Sequence, residues 1–363
     1  MEMGLYAEGV DHERRFLSSD LLGEILSRVD ALTLAKASCA SSEFRRLCAS
    51  EAFWERLCNL RWPSTKQAAA KDLILQTGGY RKFCENCHPC LSGTGTATVE
   101  HCDYVEGEEV CPSDFSSIID VMYNGQVLVS RTIAGFFGAE KSRDWFDNSP
   151  FMFDLLEGTD EVNGFHKDDE GITAVAIQTE LSSVSSAEGL WKALNENMTV
   201  SWILVNKKTG RMVNLASWKP VDGLRHWPCD GDFVLQFGTV IPSTERLRNH
   251  AVHCNVAAKV RHFNVGTADG GCKPVIGVTE VGMKLENIGG ARLNGRESVA
   301  LLDKVLSCNR TVSFSTVLHS HREFHRNRVA WKTERIRQEN QRELTVALIS
   351  GVGAFLCLCY CLS

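Results

Sequence analysis

The sequence predicts an α+β protein: a small all-α region at the N-terminus, a larger and mainly antiparallel β domain (sheet or sandwich) with a few helices, and a C-terminal helix. Three observations carry this. Apolar residues recur at helical spacing through roughly the first sixty positions, and the period changes to alternation after Asp114. After Leu318 the chain is charged and free of proline and glycine, and it then closes on an uncharged run.

In the first region Leu21, Leu22, Ile25, Leu26 and Val29 share one helical face, with Ser18 or Ser19 as candidate N-caps and Asp20 beside the positive helix end. A second pattern begins near Asp30 or Thr33 and carries Leu34, Ala37 and Ala40. A third follows Ser42 with Phe44 and Leu47, a fourth follows Ser50 with Phe53, Trp54 and Leu57, and Pro63 closes the set.

The β domain opens with "SIIDVMYNGQVLVSRTI", in which Asn124-Gly125 separates two alternating runs, a strong short hairpin signal. Further strands are expected in "FMFDLL", "TVSWILVN", "RMVNLASW", "DFVLQFGTVI", "HCNVAAKVRHFNV" and "KPVIGVTEVGMKL", with helices around Ala187–Asn197 and Glu297–Leu306. Many short strands with glycine, asparagine and proline punctuation argue for antiparallel rather than doubly wound architecture. The expected organisation is a helical domain over 14–62, a helix and flexible linker over 63–113, and a β-rich recognition domain over 114–318. A charged helix over 319–343 and a hydrophobic tail over 344–362 complete it.

The 363 residues are 44% hydrophobic and 23% charged, a globular balance, and a formal net charge of -6 lacks the basic excess that nucleic-acid binding demands. Fifteen scattered cysteines behind a start without an apolar signal region read as reduced thiols in the cytoplasm or nucleus. The uncharged run Leu344–Leu362 would span roughly 28 Å as a helix. That length suits a membrane anchor, tethering the chain to the cytosolic face of an internal membrane such as the endoplasmic reticulum; a final helix docked on the sheet is the alternative.

Four groups carry chemistry. "CENCHPC" places Cys84, Cys87 and Cys90 at metal-ligand spacing, with Cys102 available to complete a zinc shell, but free thiols in a mobile linker are the default reading and no metal is expected. His319, His321 and His325 contain an i, i+4 pair near Glu323 that could hold a metal, but the charges around them read as an exposed face. Trp218, Arg225, His226 and Trp227 lie near a polar turn and are the candidate substrate-recognition residues. There is no phosphate-cradling loop, no His-Glu-x-x-His and no nucleophile elbow, so neither a catalytic residue nor a cofactor is expected.

The opening stretch resembles the F-box: Phe16-Leu17, Asp20-Leu21-Leu22, Ile25-Leu26, Leu34, Ala37-Ser38, Ser41-Ser42, Phe44-Arg45, Leu47 and Trp54 follow its order and spacing. Ser18 stands where that family most often has proline. The remainder is similar to a family of plant F-box proteins, on "SSIIDVMYNGQVLVSRTI", "NSPFMFDLL", "MTVSWILVNKKTGRMVNLASWKP" and "RHWPCDGDFVLQFGTV". The resemblance implies a non-catalytic subunit of an SCF ubiquitin ligase that docks on Skp1, and through it on a cullin, by Leu17, Leu21, Leu22, Ile25, Leu26, Leu34, Ala37 and Phe44, while the β domain holds a protein target. The alternative is a membrane-tethered module with a lectin-like or small-ligand-binding β domain acting without the ligase.

Overall fold

The computed structural model describes residues 19–93, 110–136, 143–155, 174–175, 187–225, 232–242, 251–266 and 272–362. The chain divides into two units, residues 1–61 and 62–363.

The first unit holds α1 (Ser19–Leu26), α2 (Ala31–Ala37), α3 (Ser42–Cys48) and α4 (Glu51–Arg61). Two of the four, α2 and α3, start where a short polar side chain satisfies a free N–H group of the helix end. Asp30 caps α2, accepting from the Thr33 N–H at 2.9 Å and the Thr33 hydroxyl at 2.9 Å. Ser41 caps α3, accepting from the Phe44 N–H at 3.2 Å. The Trp54 indole N–H donates to the Cys48 carbonyl at 2.8 Å, and Trp54, Cys58 and Cys48 are buried.

The second unit begins with a 3-10 turn at Pro63–Lys66, α5 (Ala68–Gln76), α6 (Gly79–Cys87) and β1 (Cys90–Leu91). Then come β2 (Phe115–Tyr123), β3 (Gln126–Ala134), α7 (Arg143–Asn148), β4 (Met152–Asp154), β5 (Ala174–Val175), α8 (Ala187–Asn197), β6 (Met198–Asn206) and β7 (Arg211–Asn214). β8 (Asp222–Arg225), β9 (Asp232–Gln236), β10 (Thr239–Ile241), β11 (Val252–Gly266), β12 (Cys272–Glu286), α9 (Gly295–Val305), β13 (Arg310–Thr311) and α10 (Phe314–Leu362) complete it.

One sheet runs β13-β1-β7-β6-β2-β3, and the other β4-β12-β11-β9-β8 with β10 on β11 and β5 on β12. Among the described residues every strand pairing is antiparallel except that of β1 with β7. The β2–β3 hairpin turns on Asn124 (φ 47°) and Gly125 (φ 78°), the left-handed pair that a tight two-residue connection requires. One apolar core joins the two sheets: Ile119, Val121, Trp202 and Leu204 from the first, Phe233, Leu235, Val256, Ala258 and Ile276 from the second. Phe153 meets Trp202 edge to face at 5.4 Å.

Strand β2 is buried almost throughout, and its even positions Ile118 and Asp120 are as hidden as its odd ones. Asp120 accepts from the Ser64 N–H at 2.9 Å, the Ser64 hydroxyl at 2.5 Å and the Ser130 hydroxyl at 2.9 Å. Burial pushes its carboxyl up to about 6, against the opposing effect of the Ser64 and Ser130 hydrogen bonds. The buried Ser64 ties the chain after Trp62 to the sheet.

Two expectations need correction. Residues 84–91 are not linker: Cys84, Cys87, Cys90 and Leu91 are buried, and β1 adds a strand to the first sheet between β7 and β13. The stretch after Leu318 is not solvated throughout. Helix α10 starts at Phe314, and Val317, Ser320, His321 and Phe324 form a buried stripe at helical spacing. Farther along, Leu344, Val346, Leu348, Ile349 and Val352 are exposed, which is not the burial a docked final helix would give them. Among the described residues, which leave out the side chains of 355–359 and 361–362, no helix is long and apolar enough to cross a membrane.

Replacing Asp120 with alanine removes the acceptor of the Ser64 N–H and the Ser130 hydroxyl. The expected cost is about 2–4 kcal/mol, read as a lower urea midpoint; an unchanged midpoint would show that the carboxylate contributes nothing net.

Candidate functional site

The helical unit sorts its leucines by helix geometry. Leu34 is 0% exposed and Leu26 4% exposed, whereas Leu21 and Ile25, one turn apart on α1, are 55% and 52% exposed, and Leu32 on α2 is 54% exposed. Leu22, Ala37 and Phe44 are half-buried, and Leu17 lies outside the described residues. Leu26 and Leu34 thus hold the unit together while Leu21, Ile25 and Leu32 offer apolar surface to water. Burying an isoleucine or leucine yields about 1.5–3 kcal/mol, so such a patch gains most by finding a cover. Exposed charges lie here too: Glu24 on α1 pairs at 2.6 Å with Arg28 in the turn that follows it.

The candidate recognition residues separate. Trp218 is half-buried with φ 59°, its carbonyl accepts from the Val200 N–H at 3.1 Å, and its ring lies 6.1 Å from that of His88. A left-handed backbone at a bulky aromatic is uncommon, and the bridge to β6 holds it there. Arg225 is exposed at the end of β8, on the second sheet; His226 and Trp227 lie outside the described residues.

The cysteines behave as small apolar side chains. Cys84 and Cys87 are buried on α6, and the Cys90 thiol donates to the Ala216 carbonyl at 3.0 Å. Burial pushes the Cys87 thiol well up, against the opposing charge of Arg310 and with a smaller push from Cys84. That shift favours the protonated thiol of Cys87, which is a poor metal ligand. Cys102 lies outside the described residues.

The histidines of α10 divide. The side chain of His319 is exposed, with Glu323 at 4.0 Å, whereas His321 is buried and His325 half-buried beneath the helix, facing His253 of β11. The sequence reading took all three for an exposed face. Their spacing was visible, but the strand residue that meets them lies far away in the chain.

The first unit is thus a set of short helices, two of them capped by side chains, that bears an exposed apolar patch. Residues 16–56 match the F-box domain. Probable F-box protein At2g36090 of Arabidopsis thaliana is 26% identical over 93% of this chain and 90% of its own length. F-box protein At2g27310 of the same plant is 27% identical over 94% of each. F-box protein GID2 of Oryza sativa subsp. japonica is 35% identical over a shorter stretch, 18% of this chain and 32% of its own. No solved structure matches. The chain carries an F-box domain at its N-terminus and over most of its length is similar to F-box proteins of Arabidopsis thaliana, consistent with a plant F-box protein family.

Leu34→Ala should lower the stability of the helical unit by about 2–5 kcal/mol, whereas Leu21→Ala should shift it by no more than about 0.5 kcal/mol. Thermal melts of the two variants check this division; equal losses would mean that Leu21 also belongs to the core.

Proposed function

We propose that this chain is the substrate-recognition subunit of an SCF-type ubiquitin ligase, docking on a Skp1-type adaptor through its N-terminal helices and through it on a cullin. The observation that carries the reading is the exposure of Leu21 and Ile25 on a folded helical unit matched to the F-box. An adaptor helix laid on these residues would supply the missing half of an apolar interface. The chain then works by proximity: it holds a protein target near a ubiquitin thioester carried elsewhere, raising the local concentration of the target lysine, and needs no catalytic residue of its own.

The test is a pull-down of purified Skp1-type adaptor by the full chain, wild type against Leu21→Asp/Ile25→Asp. Buried carboxylates at the centre of an interface should weaken binding by about 100-fold or more while circular dichroism stays unchanged. Binding retained by the double variant, or absent from the wild type, overturns the docking role.

The localisation we propose is the cytosolic face of an internal membrane, and it rests on the uncharged run Leu344–Leu362 alone. Deleting residues 344–363 should move the protein from the carbonate-resistant pellet to the supernatant; the same distribution with and without the tail removes the membrane from the account. The reading as a membrane-tethered ligand-binding module without a ligase has less behind it, since Trp218 and Arg225 belong to different sheets and Trp202 is fully buried.

A further inference from the structure

Strand β11 alternates. Cys254, Val256, Ala258 and Val260 face the core shared by the two sheets, which leaves His253 on the outer face. His253 is nonetheless buried, 1% exposed, because α10 crosses over that face: its ring stacks on Phe324 at 5.4 Å and lies 5.0 Å from His321 and 5.6 Å from His325. His321 and His325 are one turn apart, and their Nε2 atoms are 3.1 Å from each other.

Among the described residues, these three histidines form the group of potential ligands whose donor atoms all lie within 4.8 Å of one another. We propose that His253, His321 and His325 bind a divalent transition-metal ion, of which zinc is the expected species, and that the ion fastens the base of α10 to β11.

Four observations support the assignment. Zn–N bonds of about 2.0–2.1 Å in a tetrahedral shell place two ligand nitrogens about 3.3 Å apart. The His321–His325 separation of 3.1 Å is already close to that edge. The third nitrogen, within 4.8 Å, needs to approach by at most about 1.5 Å (4.8 minus 3.3), a distance that a small ring rotation covers. Second, the His253 Nε2 is buried with no hydrogen-bond partner among the described residues, and a buried polar nitrogen left so is costly.

Third, space is reserved for that ring. A Cβ on Gly238 would fall 2.4 Å from the His253 Nε2, so only glycine fits beside it. Fourth, all three rings are held neutral, the form that ligates. Burial is the largest cause for each, driving His253 well down, His321 to about 4 and His325 down. Repulsion from the neighbouring histidines is the next cause for His253 and His321, the positive charges of Arg322, Arg328 and Lys284 add to it, and Asp222 and Glu286 oppose it. Lys284 and Arg328 are themselves paired to Glu286, at 2.7 and 3.2 Å, which offsets their repulsion of a cation. Three imidazoles leave the fourth position of the ion to water.

The full-length chain, stripped with chelator, is titrated with zinc against a colorimetric competitor and separately loaded with cobalt. One ion per chain is expected, with the visible bands of tetrahedral cobalt and no thiolate-to-metal charge-transfer band. His325→Gln, at the half-exposed position, should weaken zinc binding about 10-fold or more, and His253→Gln/His321→Gln should abolish it. The cobalt spectrum of the unaltered protein needs no variant to fold, so it judges the assignment independently. No stoichiometric binding, a charge-transfer band showing cysteine ligation, or binding undiminished in folded His325→Gln protein would each overturn the proposal. None of these readouts involves the adaptor, so the site stands or falls separately from the ligase reading.

Discussion

Strand β2 is buried on both of its faces, and the second unit is arranged around that requirement. A strand hidden on one face needs one covering layer; a strand hidden on two needs a layer on each side. The odd positions of β2 take the second sheet as cover. Its even positions depend on the chain between Trp62 and Cys87, where Trp62 and Phe83 meet edge to face at 5.3 Å and Ser64 reaches the Asp120 carboxylate. The molecule there is three layers deep, helices on sheet on sheet, and the middle layer holds it together.

The same requirement explains which parts of the fold were legible in the sequence. The Asn124-Gly125 turn, helix α8 and the long strands β11 and β12 carry strong local signals, since each is set by turn chemistry or by a long periodic pattern. Residues 84–91 mislead because a helix end that buries its cysteines and a two-residue buried strand look like cysteine-rich loop when the sheet that buries them is far away in sequence. The strand β8 was missed for a related reason: its Asp222–Arg225 sequence is short and polar, and only pairing to β9 makes it a strand.

The sites divide along the same line. The docking leucines were readable as a set, because helical spacing puts Leu21, Leu22, Ile25 and Leu26 together, but their division into core and surface was not. Which of them faces out depends on how α1 and α2 lie against α3, and that is a property of tertiary packing. His321 and His325 showed their i, i+4 relation and hid their partner. His253 sits in a strand nearly seventy residues earlier, and nothing local marks it as different from its alternating neighbours.

Helix α10 has 49 residues and rises about 74 Å, yet its buried contacts are gathered in its first few turns. From Lys332 onward its described side chains are exposed, leaving about 45 Å of helix reaching beyond the sheet. Mechanically this is a lever with a short seat and a long arm. A tilt of about 10° at the seat carries the far end through about 8 Å, so a rearrangement at His253 and Phe324 too small to disturb the core is magnified several-fold at the apolar tip. Whatever meets that tip is therefore placed by the packing of a few side chains on the outer face of one strand.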